Sequence, residues 1–176
     1  MLRLEFPNET HREMYEKMQS HWKNYPVSRV ASKMVQCSNF SDFITYVKED
    51  RKWRPWLVPA SFFFLIQDWE IIGHIQIRHH INHPNLRDVG GHIGYGIVPW
   101  KQWKGYGKQQ LKFALEEAKK LWLKRIMISC ISDNIASAKI IEANGWVFER
   151  ERVLDNPPED MWEEKWKILK IYWITL

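Results

Sequence analysis

The sequence predicts an α/β (α+β) fold, a mixed and mostly antiparallel sheet of about seven strands flanked by helices, on three observations. Seven short segments are apolar or alternate: Leu2 to Phe6, Ser61 to Gln67, Ile71 to Ile81, Gly90 to Val98, Arg125 to Ile131, Trp146 to Val153 and Ile168 to Thr175. The strands around Asp68-Trp69-Glu70 are joined by a turn too short for anything but antiparallel neighbours. From Lys108 onward, Leu111, Ala114, Leu115, Ala118, Leu121 and Trp122 recur at helical spacing between two strand segments, so the strand after this helix is predicted to lie parallel to the one before it.

Length and composition narrow the class. A chain of 176 residues is expected to form one domain, residues 1–176, with a core that needs no staples. No stretch approaches the roughly 20 apolar residues of a bilayer span, and Met1 to Phe6 lacks the apolar region of a signal peptide, so a cytoplasmic protein with no membrane partner is expected. Cys37 and Cys130 fit neither a disulfide framework nor a metal knuckle and read as reduced thiols. The net charge of +5 is local: eight basic against two acidic residues lie between Pro99 and Arg125, which leaves the rest at −1. Such a patch suits a phosphorylated ligand better than a nucleic acid, for which salt-dependent binding would be the sign. Composition offers no account of the 11 tryptophans.

In chain order, Leu2 to Phe6 is an edge strand, and a helix starts near Thr10, where Thr10 and Glu13 fit a capping box, and ends before Pro26. A second helix runs from Ser41, its cap, to about Lys52, with Phe43, Ile44 and Val47 on one face. Prolines at 55 and 59 make Arg51 to Pro59 a loop, in which Trp53 and Trp56 serve as a lid or as packing. In the strand from Ile71, Ile75, Ile77 and His79 share one face, and His74, Gln76, Arg78 and His80 the other. His79 and His80 therefore point apart, which argues against a metal site with His83; none is expected.

Gly90 to Val98 carries His92, Gly94 and Gly96 on one face, and glycines inside a strand mark a place where a ligand comes close to the backbone. Ser132-Asp133-Asn134 offers caps for a helix from Ile135 to Ala143, closed by Asn144-Gly145, and Leu154 to Glu164 is a polar loop before the last strand. Between the glycine strand and the periodic helix lies Val98-Pro99-Trp100-Lys101-Gln102-Trp103-Lys104-Gly105-Tyr106-Gly107-Lys108. A glycine turn feeding a helix N-terminus directs N–H groups and the positive end of the helix dipole to one spot, so it reads as a phosphate-binding turn.

Gln102-x-x-Gly105-x-Gly107 after Val98-Pro99, followed by the long helix, by Ile126 to Cys130 and by Asp133-Asn134-x-x-Ser137 through Asn144-Gly145-Trp146, resembles the acetyl-CoA signature of the GNAT superfamily of N-acetyltransferases. The resemblance covers about Phe62 to Phe148, and Gly73 to His80 with Gly90 to Tyr95 looks like a bacterial branch without assigned substrates. It implies a splayed strand pair at the cofactor site and acetyl-CoA as co-substrate. It implies that the backbone of Gln102, Trp103, Lys104, Gly105, Tyr106, Gly107 and Lys108 holds the pyrophosphate, with both glycines permitting close approach. Ile97 and Val98 would bind the pantetheine arm, Val98 through its main chain, and Asn134 and Ser137 would face the cofactor, although Asn134 equally suits a plain helix cap.

The family's usual glutamate base corresponds to His92, whose imidazole suits that role as well as it suits a structural one. The usual tyrosine acid is missing: Ile141 stands there, so Tyr106 or Tyr95 would have to replace it. The implied reaction is transfer of acetyl to a primary amine, on a small molecule or a peptide, by direct attack with base assistance, in a protein compatible with a homodimer. Five carboxylates beside Trp162 in Asp155 to Glu164 could attract a cationic acceptor, or form a solvated loop. The competing reading, which the missing tyrosine favours, is an acyl-CoA-binding sensor without catalysis.

Overall fold

The computed structural model describes residues 1–25, 37, 39–55, 57–157 and 159–176, with only the backbone at 159, 160 and 162. Pro26, Trp56 and Pro158, and the side chains of Glu159, Asp160 and Trp162, lie outside the described set. The elements are β1 (Arg3–Glu5), α1 (Arg12–Trp22), α2 (Phe40–Asp50), β2 (Ala60–Gln67), β3 (Glu70–Arg78), β4 (Ile93–Ile97), α3 (Tyr106–Lys120), β5 (Arg125–Ile131), α4 (Ile135–Glu142), β6 (Val147–Val153) and β7 (Ile168–Thr175).

The strands form two sheets, ordered β1-β2-β3-β4 and β5-β7-β6. Every ladder among the described residues is antiparallel. β4 and β5, the strand pair that the resemblance implied would splay, form no ladder with each other, and the reason lies just before β4. Gly91, at φ +61°, runs so close to β5 that a Cβ there would sit 2.7 Å from Met127 O. His92 N–H donates to Met127 O at 2.8 Å, and Met127 N–H donates back to His92 Nδ1 at 2.9 Å. A side-chain nitrogen thus takes the bond that a backbone carbonyl would accept in a ladder, and the strands part beyond it. The seven predicted strands therefore exist as two splayed sheets.

Two helix starts differ from expectation. Asn8, extended at φ −147°, caps a 3₁₀ turn (Glu9–His11): Thr10 N–H donates to its side chain at 2.9 Å, and Asn8 N–H donates to His11 Nδ1 at 3.0 Å. The capping box thus belongs to Asn8 and His11, not to Thr10 and Glu13, because the chain turns helical before α1 itself begins. Likewise Asn39, not Ser41, caps α2, accepting the Asp42 N–H at 3.0 Å. The region before β4 holds a π-helical turn (Leu86–Gly90) that shortens the expected strand, and a 3₁₀ helix (Glu159–Glu164) lies inside the expected polar loop.

Hydrophobic burial sets the layers. Tyr15, Trp22, Phe40, Phe43 and Phe64 close α1 and α2 over one face of the first sheet, where Tyr15 and Phe43 stack at 5.1 Å. Ile75, Ile77, Leu111, Ala114, Ile128 and Ile141 pack α3 and α4 against the other side. Each buried aliphatic side chain contributes roughly 1.5–3 kcal/mol over exposure, so these two layers anchor the splay. β7 is the centre of the second sheet, whereas β6 is an exposed edge carrying Glu149, Arg150, Glu151 and Arg152, charges of the kind that blunt a strand edge.

Candidate active site

Where the sheets part, a cleft of about 660 Å³ opens between the edge of β4 and the face of α4, and its far end is closed by the N-terminus of α3. Val98 leaves β4 into a 3₁₀ turn (Pro99–Lys101), and Trp103 (φ +64°) and Gly105 (φ +78°) then reverse the chain into α3. The first bond of this helix is Gln109 N–H to Gly105 O at 3.4 Å, so the N–H groups of Tyr106, Gly107 and Lys108 have no intrahelical acceptor. With the dipole behind them they make the N-terminus of α3 electropositive where it borders the cleft.

The two signature glycines do different things. Gly105 adopts a left-handed conformation with open space where a Cβ would stand. At Gly107, which lines the cleft, a Cβ would come within 2.8 Å of Ile140 Cδ1, so its absence also lets α3 and α4 pack closely. Gly96 lines the cleft as expected, and the place of a Cβ there is taken by the His74 ring, 3.0 Å away.

Strand direction decides which main-chain groups face the cleft. Arg78 N–H donates to His92 O at 2.8 Å and Val98 N–H to Ile72 O at 3.0 Å, so the even-numbered residues of this strand pair with β3. Ile93, Tyr95 and Ile97 turn their main-chain groups to the other edge. Val98 is fully buried, and its carbonyl accepts the Lys101 N–H at 2.9 Å, so its main chain is used within the protein, against expectation. Gln102 Nε2 donates to Ile97 O at 3.3 Å and ties the turn to the strand.

Of the other residues singled out in the sequence, the cleft brings together Ile97, Gln102, Trp103, Gly105, Tyr106, Gly107, Lys108, Asn134 and Ser137. Lys104, Val98 and His92 are not among its lining residues. Lys101 lines it but is ion-paired with Glu70, which reduces its charge toward a ligand. Asn134 caps α4 by accepting the Ser137 N–H at 3.0 Å. Lys139 and Ile140 also line the cleft; they stand three and four residues after Ala136, a spacing on α4 that could have revealed them.

Titration follows burial. Burial first, then the charges of Arg78 and His80, push His92 down to about 4. Its Nδ1 accepts the Met127 N–H, so the ring is a neutral clip between the sheets and not a base tuned near neutrality. Burial raises Tyr95 to about 12 and the Cys130 thiol to about 11, which leaves that thiol protonated and inert. In the acidic segment, Glu164 pairs with Lys167 at 2.8 Å.

Residues 2–147 match the family described as the acetyltransferase (GNAT) domain. The chain belongs to this GNAT family. A mycothiol acetyltransferase from Streptomyces avermitilis is 30% identical over 98 residues, 56% of this chain and 30% of the relative, so the chain spans under a third of that curated relative. Among solved structures, the microcin C7 self-immunity acetyltransferase in complex with acetyl-CoA and AMP aligns with a TM-score of 0.64 at 17% identity, covering 99% of this chain and 92% of the other. YncA of Salmonella typhimurium, a putative acetyltransferase with its cofactor acetyl-CoA, aligns at 0.66 and 13% identity over 99% and 94%. At these identities the structural likeness is one of fold, and the splay between β4 and β5 is where this GNAT domain opens its cleft.

Proposed function

We propose that this GNAT domain transfers an acetyl group from acetyl-CoA to a primary amine of a small molecule or peptide. One observation carries the reading: a single cleft joins an anion-binding helix N-terminus to an outward-facing strand edge. Coenzyme A has that shape, an anionic pyrophosphate followed by an extended amide-bearing arm. The N–H groups of Tyr106, Gly107 and Lys108 bind the pyrophosphate, with the Lys108 ammonium adding charge. The arm runs along Ile97 and Tyr95 as an added strand, opposite Asn134 and Ser137 on α4. Tyr106 belongs to the pyrophosphate end, remote from the thioester at the convergent end of the splay. His92 keeps the strands parted there, and the attacking amine loses its proton to water.

The experiment is calorimetric titration with acetyl-CoA together with turnover on a panel of primary amines. Micromolar binding and release of free thiol with at least one amine are expected. Binding without turnover on any amine favours the sensor reading, which the absence of a hydroxyl at Ile141 supports. No binding overturns both.

A further inference from the structure

We propose that the Tyr95 hydroxyl, oriented by Ser137, is the hydrogen-bond donor that stabilises the departing thiolate in place of the hydroxyl this chain lacks at Ile141. The inference rests on the acetyl-CoA reading above and adds to it a residue that touches the reacting sulfur. Tyr95 Oη and Ser137 Oγ stand 2.9 Å apart, a hydrogen bond that crosses from the edge of β4 to the first turn of α4. Both residues line the cleft, and Ser137 lies one helical turn before Ile141, which is fully buried and has no polar atom in its side chain.

The other lining hydroxyl on an aromatic ring is Tyr106, at the anion-binding end, whereas Tyr95 lies two residues nearer than Ile97 to the point where the sheets converge. An arm laid from the helix N-terminus along Ile97 therefore brings its sulfur toward Tyr95. The serine fixes the phenol's direction and accepts or donates as the phenol requires, and Cys130 on β5 packs at the same pair.

The step balances without a protein acid. The amine nitrogen bonds to the carbonyl carbon, the tetrahedral adduct loses the amine proton to water, and the C–S bond breaks with its electron pair moving to sulfur. Tyr95 O–H holds that thiolate by hydrogen bonding, and the thiolate takes its proton from water in the open cleft. Tyr95 keeps its own proton throughout, consistent with burial raising its pKa to about 12. A donor of this kind acts unchanged across the neutral pH range.

The test uses Tyr95→Phe, which keeps the ring's packing, and coenzyme A itself as the first probe. Carbon-13 NMR of coenzyme A labelled beside the sulfur reads the thiol pKa in the bound state, with no acceptor needed. The wild type is expected to bind it with the thiol pKa below that of the free thiol, and Tyr95→Phe to bind with unchanged affinity but a thiol pKa about one unit higher. Turnover with thioesters of graded leaving-group acidity is the second readout. Tyr95→Phe should lower kcat about 10- to 100-fold on acetyl-CoA with little change in KM, and lose less on donors with more acidic thiols. Ser137→Ala should show a smaller loss of the same pattern. An unchanged bound thiol pKa in Tyr95→Phe, or a kcat loss independent of leaving group, overturns the proposal; failure of the wild type to bind coenzyme A overturns the cofactor reading beneath it.

Discussion

His74 and His92 show how a single residue type is turned to two structural ends on one sheet. His74 is fully buried among Trp22 and Phe62, stacked on Phe62 at 6.1 Å, and burial pushes it down to about 4. Both histidines are held neutral in the folded state, while the unfolded chain protonates them near the usual 6.5. The unfolded state then binds more protons between pH 6.5 and 4, so stability rises with pH across that window and is lost as pH falls through it. Chemical denaturation at about pH 7 and about pH 5 should show the loss, and His74→Leu should be visibly less acid-sensitive than the wild type. The signature glycines provide a second contrast. Gly107→Ala should shift stability by no more than about 1 kcal/mol in denaturant unfolding, since the Ile140 terminal methyl that it meets belongs to a half-buried side chain able to turn aside and alanine is favoured over glycine in a helix. Gly105→Glu should cost about 1–2 kcal/mol of backbone strain at φ +78°, read as a modest fall in melting temperature, and should abolish acetyl-CoA binding by placing a carboxylate at the helix N-terminus.

At the scale of elements, the caps decide where helices begin, and local sequence offered competing candidates. Ser41 and Thr10 have the right chemistry but sit two residues inside the starts chosen by Asn39 and Asn8, whose extended backbones precede the turns. Asn39→Ala should cost about 1 kcal/mol in denaturant unfolding, and Ser41→Ala only a few tenths. The turn between β4 and α3 was legible because its glycine spacing, flanking proline and following helix agree. The parting of β4 from β5 was expected only through resemblance, since an apolar segment such as Ile126 to Ile131 does not state its neighbour. The side-chain acceptor of His92 that ends the pairing is a contact between residues 35 apart.

For the whole molecule, two cores on opposite sides of the first sheet hold a cleft with one wall on β4 of that sheet and the other on α4. A ligand spanning both walls should therefore stabilise the fold as a unit. Saturating acetyl-CoA is expected to raise the melting temperature by several degrees, and acetyl-pantetheine, which lacks the pyrophosphate, should not. The tryptophans also resolve at this scale only in part. Trp22 and Trp146 are core, whereas Trp69, Trp103, Trp122 and Trp166 are exposed at positive φ in turns, and among these only Trp103 lines the cleft.

The sequence by itself determined the order and type of the elements, the glycine turn after β4 and the helix behind it, because these depend on periodicity and on neighbours a few residues apart. It also carried the family signature through Gln102, Gly105 and Gly107. Only the tertiary structure decided that His92 clips two sheets, that Gly107 serves helix packing, that Val98 turns its main chain inward, and that Tyr95 meets Ser137 across the cleft. Each of those depends on which face of a strand meets which helix, and a side chain's alternation along its own strand does not say what the fold will place opposite it.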